Sequence, residues 1–163
     1  MRAMVLGMGI LLVASTVAAQ GKSGLDELAA STGKDAAALV TLGDLYVEAM
    51  RLDEAKKAYK DALKVDKKYG DAEFGLVRIK MAKAKFKPAK QACRAVARKY
   101  KDSSVGEICS GWFWISNDRS ARASDEFGKA IEKGDIVRGK TGMGESHRRR
   151  GDYDQAIEAL RAR

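Results

Sequence analysis

GDIVRGKT, residues 134–141, has the spacing of a loop that cradles phosphates with its backbone N–H groups, G-x-x-x-x-G-K-T. That chemistry needs a buried strand before the loop and a helix after it. The preceding SDEFGKAIEKG is amphipathic with a helical period, so Gly134 reads as a helix end followed by a turn. Nucleotide hydrolysis at Gly139, Lys140 and Thr141 is therefore not expected. His147 is the only histidine, and nothing has the spacing of a Cys/His metal set. Cys93 and Cys109 lack the histidine and acid that would activate a thiol nucleophile. The carboxylates are scattered in Glu–Lys pairs at helical spacing, the pattern of solvated helix faces. The chain is read as no enzyme, with no metal and no cofactor.

Basic and aromatic residues remain. Lys56, Lys57, Lys60, Lys64, Lys90, Arg94, Arg98 and Lys99 are interleaved with few aromatics. A nucleic-acid reader needs a basic stripe with stacking residues, so no nucleic-acid partner is expected. Arg148-Arg149-Arg150 is the one dense cluster. With Arg138 and Lys140 it forms a candidate anion site, for which an anionic envelope polymer is the alternative ligand.

These groups must be positioned by helices. The chain has 163 residues, one proline, 33% charged and 7% aromatic residues, and a net charge of +9. That composition suits one domain of long, solvated helices. Residues 1–19 read as a signal peptide: Arg2, an uncharged apolar run from Met4 to Ala14, then small residues at Val17-Ala18-Ala19. The same run would serve an uncleaved anchor, but it falls short of the roughly 20 residues of a comfortable span. The expectation is an exported chain, periplasmic or secreted, with no stable membrane span after cleavage. In an oxidising compartment an even cysteine count permits one bridge between Cys93 and Cys109. Two small buried thiols on helix faces are the other reading.

A repeat organises the rest. Stepping by 34 residues carries Ala55 to Ala89 and Ala123, Tyr59 to Cys93 and Phe127, and Gly43 to Val77 and Gly111. A step of 33 then reaches Gly144, Ala156 and Leu160. The first copy holds Leu39, Leu42, Gly43, Tyr46, Ala55 and Tyr59. The third holds Gly111, Trp114, Ala123, Phe127 and Ala130, and the fourth Met143, Gly144, Ala156 and Leu160. The second is degenerate, with Val77 and Lys80 out of pattern. Residues 36–50 are apolar at a helical period. Asp35 and Asp53 are candidate N-caps, Ser104-x-x-Glu107 a candidate capping box, and Pro88 belongs in a first turn.

The chain thus resembles the tetratricopeptide repeat family. The family's terminal proline is missing throughout, with Lys67, Lys101 and Asp135 in its place. The resemblance implies an all-α, right-handed superhelical solenoid of about three and a half helical hairpins. Residues 20–35 would carry a short capping helix at 24–30, with Leu25 and Leu28 inward. Repeats would span 36–69, 70–103 (degenerate), 104–136 and a partial 137–163. Helices are expected near 36–50, 53–65, 70–83, 87–100, 104–116, 120–133, 138–149 and 152–163.

The resemblance further implies a non-catalytic scaffold or adaptor whose first helices line a concave groove for a protein or peptide. Carried onto this chain, the groove residues are Ala37, Val40, Asp44, Val47 and Glu48, then Asp71, Phe74, Arg78, Met81 and Ala82. They continue with Val105, Ile108, Trp112, Ile115 and Ser116, then Arg138, Thr141, Glu145, Arg148 and Arg149. Such a groove would be apolar in the middle, acidic at one end and basic at the other. Residues two apart on a helix point about 200° apart, so a core Trp114 sends Trp112 to the groove. Val40 and Asp44 replace the Lys and Asn with which chaperone-binding relatives clamp acidic tails, so that ligand is not expected.

Overall fold

The computed structural model describes residues 24–161, so the segment 1–19 that is expected to be a signal peptide lies outside the described residues. A short helix, α1, spans 24–31. Four hairpins follow: α2 (Ala36–Glu48) with α3 (Leu52–Val65), α4 (Gly70–Ala82) with α5 (Phe86–Lys99), α6 (Val105–Ser116) with α7 (Ser120–Glu132), and α8 (Ile136–Arg150) with α9 (Tyr153–Arg161). No strand occurs among the described residues. None of these helices is long and apolar enough to cross a membrane.

The hairpins stack with their first helices side by side. α2 touches α4, α4 touches α6 and α6 touches α8, while α3, α5, α7 and α9 do not touch one another. Helices that meet on one side and splay on the other produce curvature, with α2, α4, α6 and α8 lining the inner surface. Each hairpin turn is built alike. Met50, Ala84, Asp118 and Gly151 all have positive φ. The next residue's N–H bonds back to a carbonyl of the preceding helix: Arg51 to Tyr46, Lys85 to Lys80, Arg119 to Trp114, Asp152 to His147. This left-handed cap satisfies carbonyls that the helix end would otherwise orphan.

Packing along the stack follows one motif. Tyr59 is wholly buried between Gly43 and Gly75. A Cβ added at either glycine would stand 2.5 or 2.3 Å from the Tyr59 ring. Phe127 is buried in the same way between Gly111 and Gly142, where the distances are again 2.5 and 2.3 Å. Each ring is thus a wedge from a second helix, seated against the bare backbones of its own first helix and the next. In the middle layer Cys93 replaces the wedge, and Val77 and Cys109 replace the two glycines. Cys93 and Cys109 form a disulfide with a Cα–Cα distance of 5.5 Å. A smaller wedge leaves room for side chains on both walls, and the bridge ties α5 to α6 where the ring is missing. At the end of the stack Leu160 takes the wedge position against Gly144 and stays 55% exposed.

Several local expectations need correction. Asp35 caps α2, accepting from Ala38 N–H at 2.7 Å, but Asp53 caps nothing. α3 already begins at Leu52, and Asp53 sits in its first turn, where a negative charge suits the helix dipole. The Ser104–Glu107 capping box does not form. The Ser104 hydroxyl donates to Asp135 Oδ2 at 2.6 Å, and Glu107 pairs with Lys133 at 2.8 Å. In α1, Leu25 and Ala29 pack against the first hairpins, while Leu28 is exposed. Trp114 is half-buried rather than core. Phe113 takes the buried place, and Trp114 lies edge-on to it with Lys90 and Arg122 over its ring.

Candidate functional site: the concave cleft

The inner surface holds a cleft of about 630 Å³. Its apolar lining comes from Val40 and Val47 on α2, Phe74 and Met81 on α4, and Ile108, Trp112 and Ile115 on α6. Asp44, Asp71, Arg78, Arg138 and Arg149 supply its charges, and Ala37, Ala82 and Ser116 complete the expected set. Register explains the convergence. Adjacent first helices lie in contact at the same phase, so equivalent positions of successive copies face one concavity.

Not every expected residue arrives there. Val105 does not reach the cleft, Ile108, Ile115 and Phe74 form its floor as buried core residues, and Glu48, Thr141, Glu145 and Arg148 lie outside the lining. Thr41 and Tyr69 line the cleft although the sequence reading passed over them. Thr41 is one turn on from Ala37, which the 3.6-residue period would have flagged. Tyr69 sits in an inter-repeat turn, outside the family's groove register. Trp112 both lines the cleft and packs edge-on against the Phe127 wedge, ring centroids 5.6 Å apart.

The expected separation of an acidic end from a basic end is not what forms. Asp44 pairs with Arg78 across α2 and α4, and also accepts from the Tyr59 hydroxyl at 2.5 Å. Burial, followed by this bond to Asp44, pushes the Tyr59 hydroxyl well above its ordinary pKa. Asp71 pairs with Arg138 across α4 and α8. Arg138 also meets Asp135 at 2.6 Å, so repeats two, three and four join through Asp71, Ser104, Asp135 and Arg138. Asp135, standing where the family has proline, therefore caps α8 and anchors this network. Burial alone would raise the Asp135 carboxyl. Hydrogen bonds from Arg138 and Ser104 outweigh it and hold the group below its ordinary value.

The candidate anion cluster is likewise engaged. Arg148 and Arg149 both bond to Glu145 at 2.8 Å, and Arg150 pairs with Asp152 at 2.7 Å. Lys140 is half-exposed on α8. The Arg148 bond, and then the Arg149 bond, depress the Glu145 carboxyl. A depressed carboxyl adds stability that is present above its unfolded value near 4 and disappears as pH falls through the folded value. The melting temperature is therefore expected to drop between about pH 5 and 3. Asp135→Asn should make that drop shallower, as followed by circular dichroism.

The GDIVRGKT stretch is no phosphate cradle. Gly134 ends α7 with φ +89°, α8 starts at Ile136, and Gly139 packs within α8 against Ile131. The Thr141 hydroxyl donates to the Val137 carbonyl at 2.8 Å, inside the helix. His147 Nδ1 lies 3.8 Å from Asp152. Among the described residues no three His, Cys, Asp or Glu side chains are grouped to hold a metal.

Comparison with known proteins agrees with this architecture. One tetratricopeptide repeat model matches residues 46–107 and a second matches 142–162. No curated protein sequence matches. Among solved structures, the chain is similar to TTC0263, a thermophilic TPR protein of Thermus thermophilus. The match has 14% identity and a TM-score of 0.60, covering 94% of this chain and 85% of that one. A tetratricopeptide repeat protein from Parabacteroides merdae ATCC 43184 is 20% identical at a TM-score of 0.49, covering 87% of this chain and 56% of that one. MamA is 16% identical at the same TM-score, covering 84% and 81%. With repeat models matching both parts of the stack, and the stacked hairpins of a TPR structure along nearly its whole length, the chain belongs to the tetratricopeptide repeat family.

Proposed function

We propose that the protein is a non-catalytic scaffold or adaptor that grips a segment of another protein in its concave cleft. The observation that carries this is the continuous apolar strip across α2, α4 and α6, with its flanking charges tied up in Asp44–Arg78 and Asp71–Arg138 pairs. A cleft neutral in this way selects for apolar side chains rather than for net charge, and its large accessible anchors are Met81 and Trp112. Tetratricopeptide repeat domains in general act by binding protein partners, which supports the same reading.

The place of action is the bacterial envelope, periplasmic or secreted. Support comes from the signal-peptide pattern of residues 1–19 and from a Cys93–Cys109 bridge of the kind that persists in oxidising compartments. The rival ligand, an anionic envelope polymer at Arg138, Lys140 and Arg148–Arg150, has less support because all four arginines already hold carboxylates.

The test compares capture of envelope proteins by wild type, Trp112→Ala and Arg94→Ala, the last lying outside the cleft lining. Trp112→Ala is expected to lose at least about tenfold in affinity for the captured partner, as for a central aromatic anchor. Arg94→Ala should bind like wild type. Equal capture by all three removes the cleft from the binding site.

A further inference from the structure

One contact, repeated, builds the stack: a face of each second helix meets the next first helix. α3 places Tyr59 against Gly75 of α4, and α5 places Ala97 against Gly106 of α6. α7 places Phe127 and Ile131 against Gly142 and Gly139 of α8. The 33-residue step carries this face onto α9, where Ser120, Ser124 and Phe127 become Tyr153, Ile157 and Leu160. Those three stand at i, i+4 and i+7, one stripe of the helix. No described helix follows α9, and Tyr153, Ile157 and Leu160 are 65%, 47% and 55% exposed.

The residue types run against a solvated end. A terminal repeat stays soluble by turning a polar outer face to water. Inside the stack, where α8 gives cover, α7 carries two half-buried serines in this stripe. α9 has no such cover among the described residues, yet it replaces both serines with large apolar side chains. An apolar face of this kind marks an interaction surface.

Its flank says with what. Asp154 and Arg161 lie two turns apart on one side of the stripe, near opposite ends of the helix. Both are exposed, and neither has an ion-pair partner among the described residues. A two-fold axis beside Ile157 that lays a second α9 antiparallel keeps each flank on its own side and reverses its ends. Asp154 of one copy then faces Arg161 of the other, twice. Tyr153 meets Leu160, and Ile157 meets Ile157. A parallel pair would leave the charges on opposite sides. The face is therefore complementary to itself in the antiparallel sense, as a closed two-fold contact requires. Head-to-tail stacking has no free face at the other end, because Leu25 and Ala29 of α1 already pack against the first hairpins.

We propose that α9 is a self-association surface that joins two copies of this chain, their α9 helices antiparallel. A helix about 14 Å long buries less than the ~1,200 Å² at the low end of stable interfaces, so the dimer is weak and concentration-dependent. None of Tyr153, Ile157 and Leu160 lines the concave cleft, so the contact is separate from the proposed partner site.

Sedimentation velocity of the protein recovered from its producing cells tests this over a rising concentration series. The expected result is passage from one copy to two, with nothing larger. Ile157→Asp, at an exposed position, should stay monomeric where wild type is mostly dimeric, with unchanged helicity. Asp154→Arg and Arg161→Asp should each weaken association about tenfold, because each sets like charges face to face twice. An equimolar mixture of those two variants should regain wild-type association as a mixed dimer, since every facing pair is again opposite in sign. The mixture keeps the test decisive if Ile157→Asp loosens α9. A monomer at every concentration overturns the proposal. So do growth beyond two copies, association that survives Ile157→Asp, and a mixture no tighter than its single components.

Discussion

Phe127→Ala is expected to lower the unfolding free energy by about 3–5 kcal/mol, the cost of emptying a fully buried aromatic site. The ring has no exposure and is seated between the bare backbones at Gly111 and Gly142. Those backbones belong to α6 and α8, so removal opens a void between two repeats that helix-to-helix contact cannot close without shifting the stack. In a solenoid stability is close to a sum of repeat and interface contributions. The fourth hairpin should therefore loosen first, seen as an early urea transition or faster amide exchange in α8 and α9. Trp112 would also lose the ring against which it packs edge-on. Gly142→Val alone should destabilise through overpacking, by about 1–3 kcal/mol. In the Phe127→Ala background it should cost less, because the new side chain enters the vacated space. Purely additive effects in urea denaturation would contradict the wedge account, since contacting residues should couple.

The second large effect belongs to the middle layer. Replacing both Cys93 and Cys109 by alanine is expected to cost about 3 kcal/mol, the usual value for a loop of roughly 15 residues. Here the bridge closes a 16-residue separation and stands where the neighbouring layers have an aromatic wedge. Reduction of the wild type should reproduce most of the loss, and thiol counting before reduction should find none free. Unchanged stability on reduction would mean that Val77 and the two sulfur-bearing residues fill the layer by packing alone.

Much of this fold is legible in the chain because a 34-residue step repeats packing residues in phase. Helix starts and ends follow from that phase together with the 3.6-residue period. What escaped depends on partners far away in sequence. Ser104 reads locally as a cap, yet its hydroxyl finds Asp135, 31 residues on. The groove lining was readable because equivalent positions converge. The charge pairing was half readable: Asp44 and Arg78 occupy one position in successive copies, so adjacency of repeats brings them together. The Asp71–Arg138 contact skips a repeat, spanning 67 residues. No single-copy pattern announces it, because curvature of the stack creates it. The wedge exchange at Cys93 was visible only as a failed match. Its meaning needed Cys109 on the facing helix.

The central functional claim, that the inner surface does the binding, is tested most directly by site-specific photo-crosslinking in the producing cells. A photoreactive residue is placed at position 81 or 112 in the cleft, and at position 94 on α5. Discrete crosslinks to another polypeptide from 81 and 112, absent from 94, are the predicted result. Crosslinks from 94 with none from the cleft would contradict it.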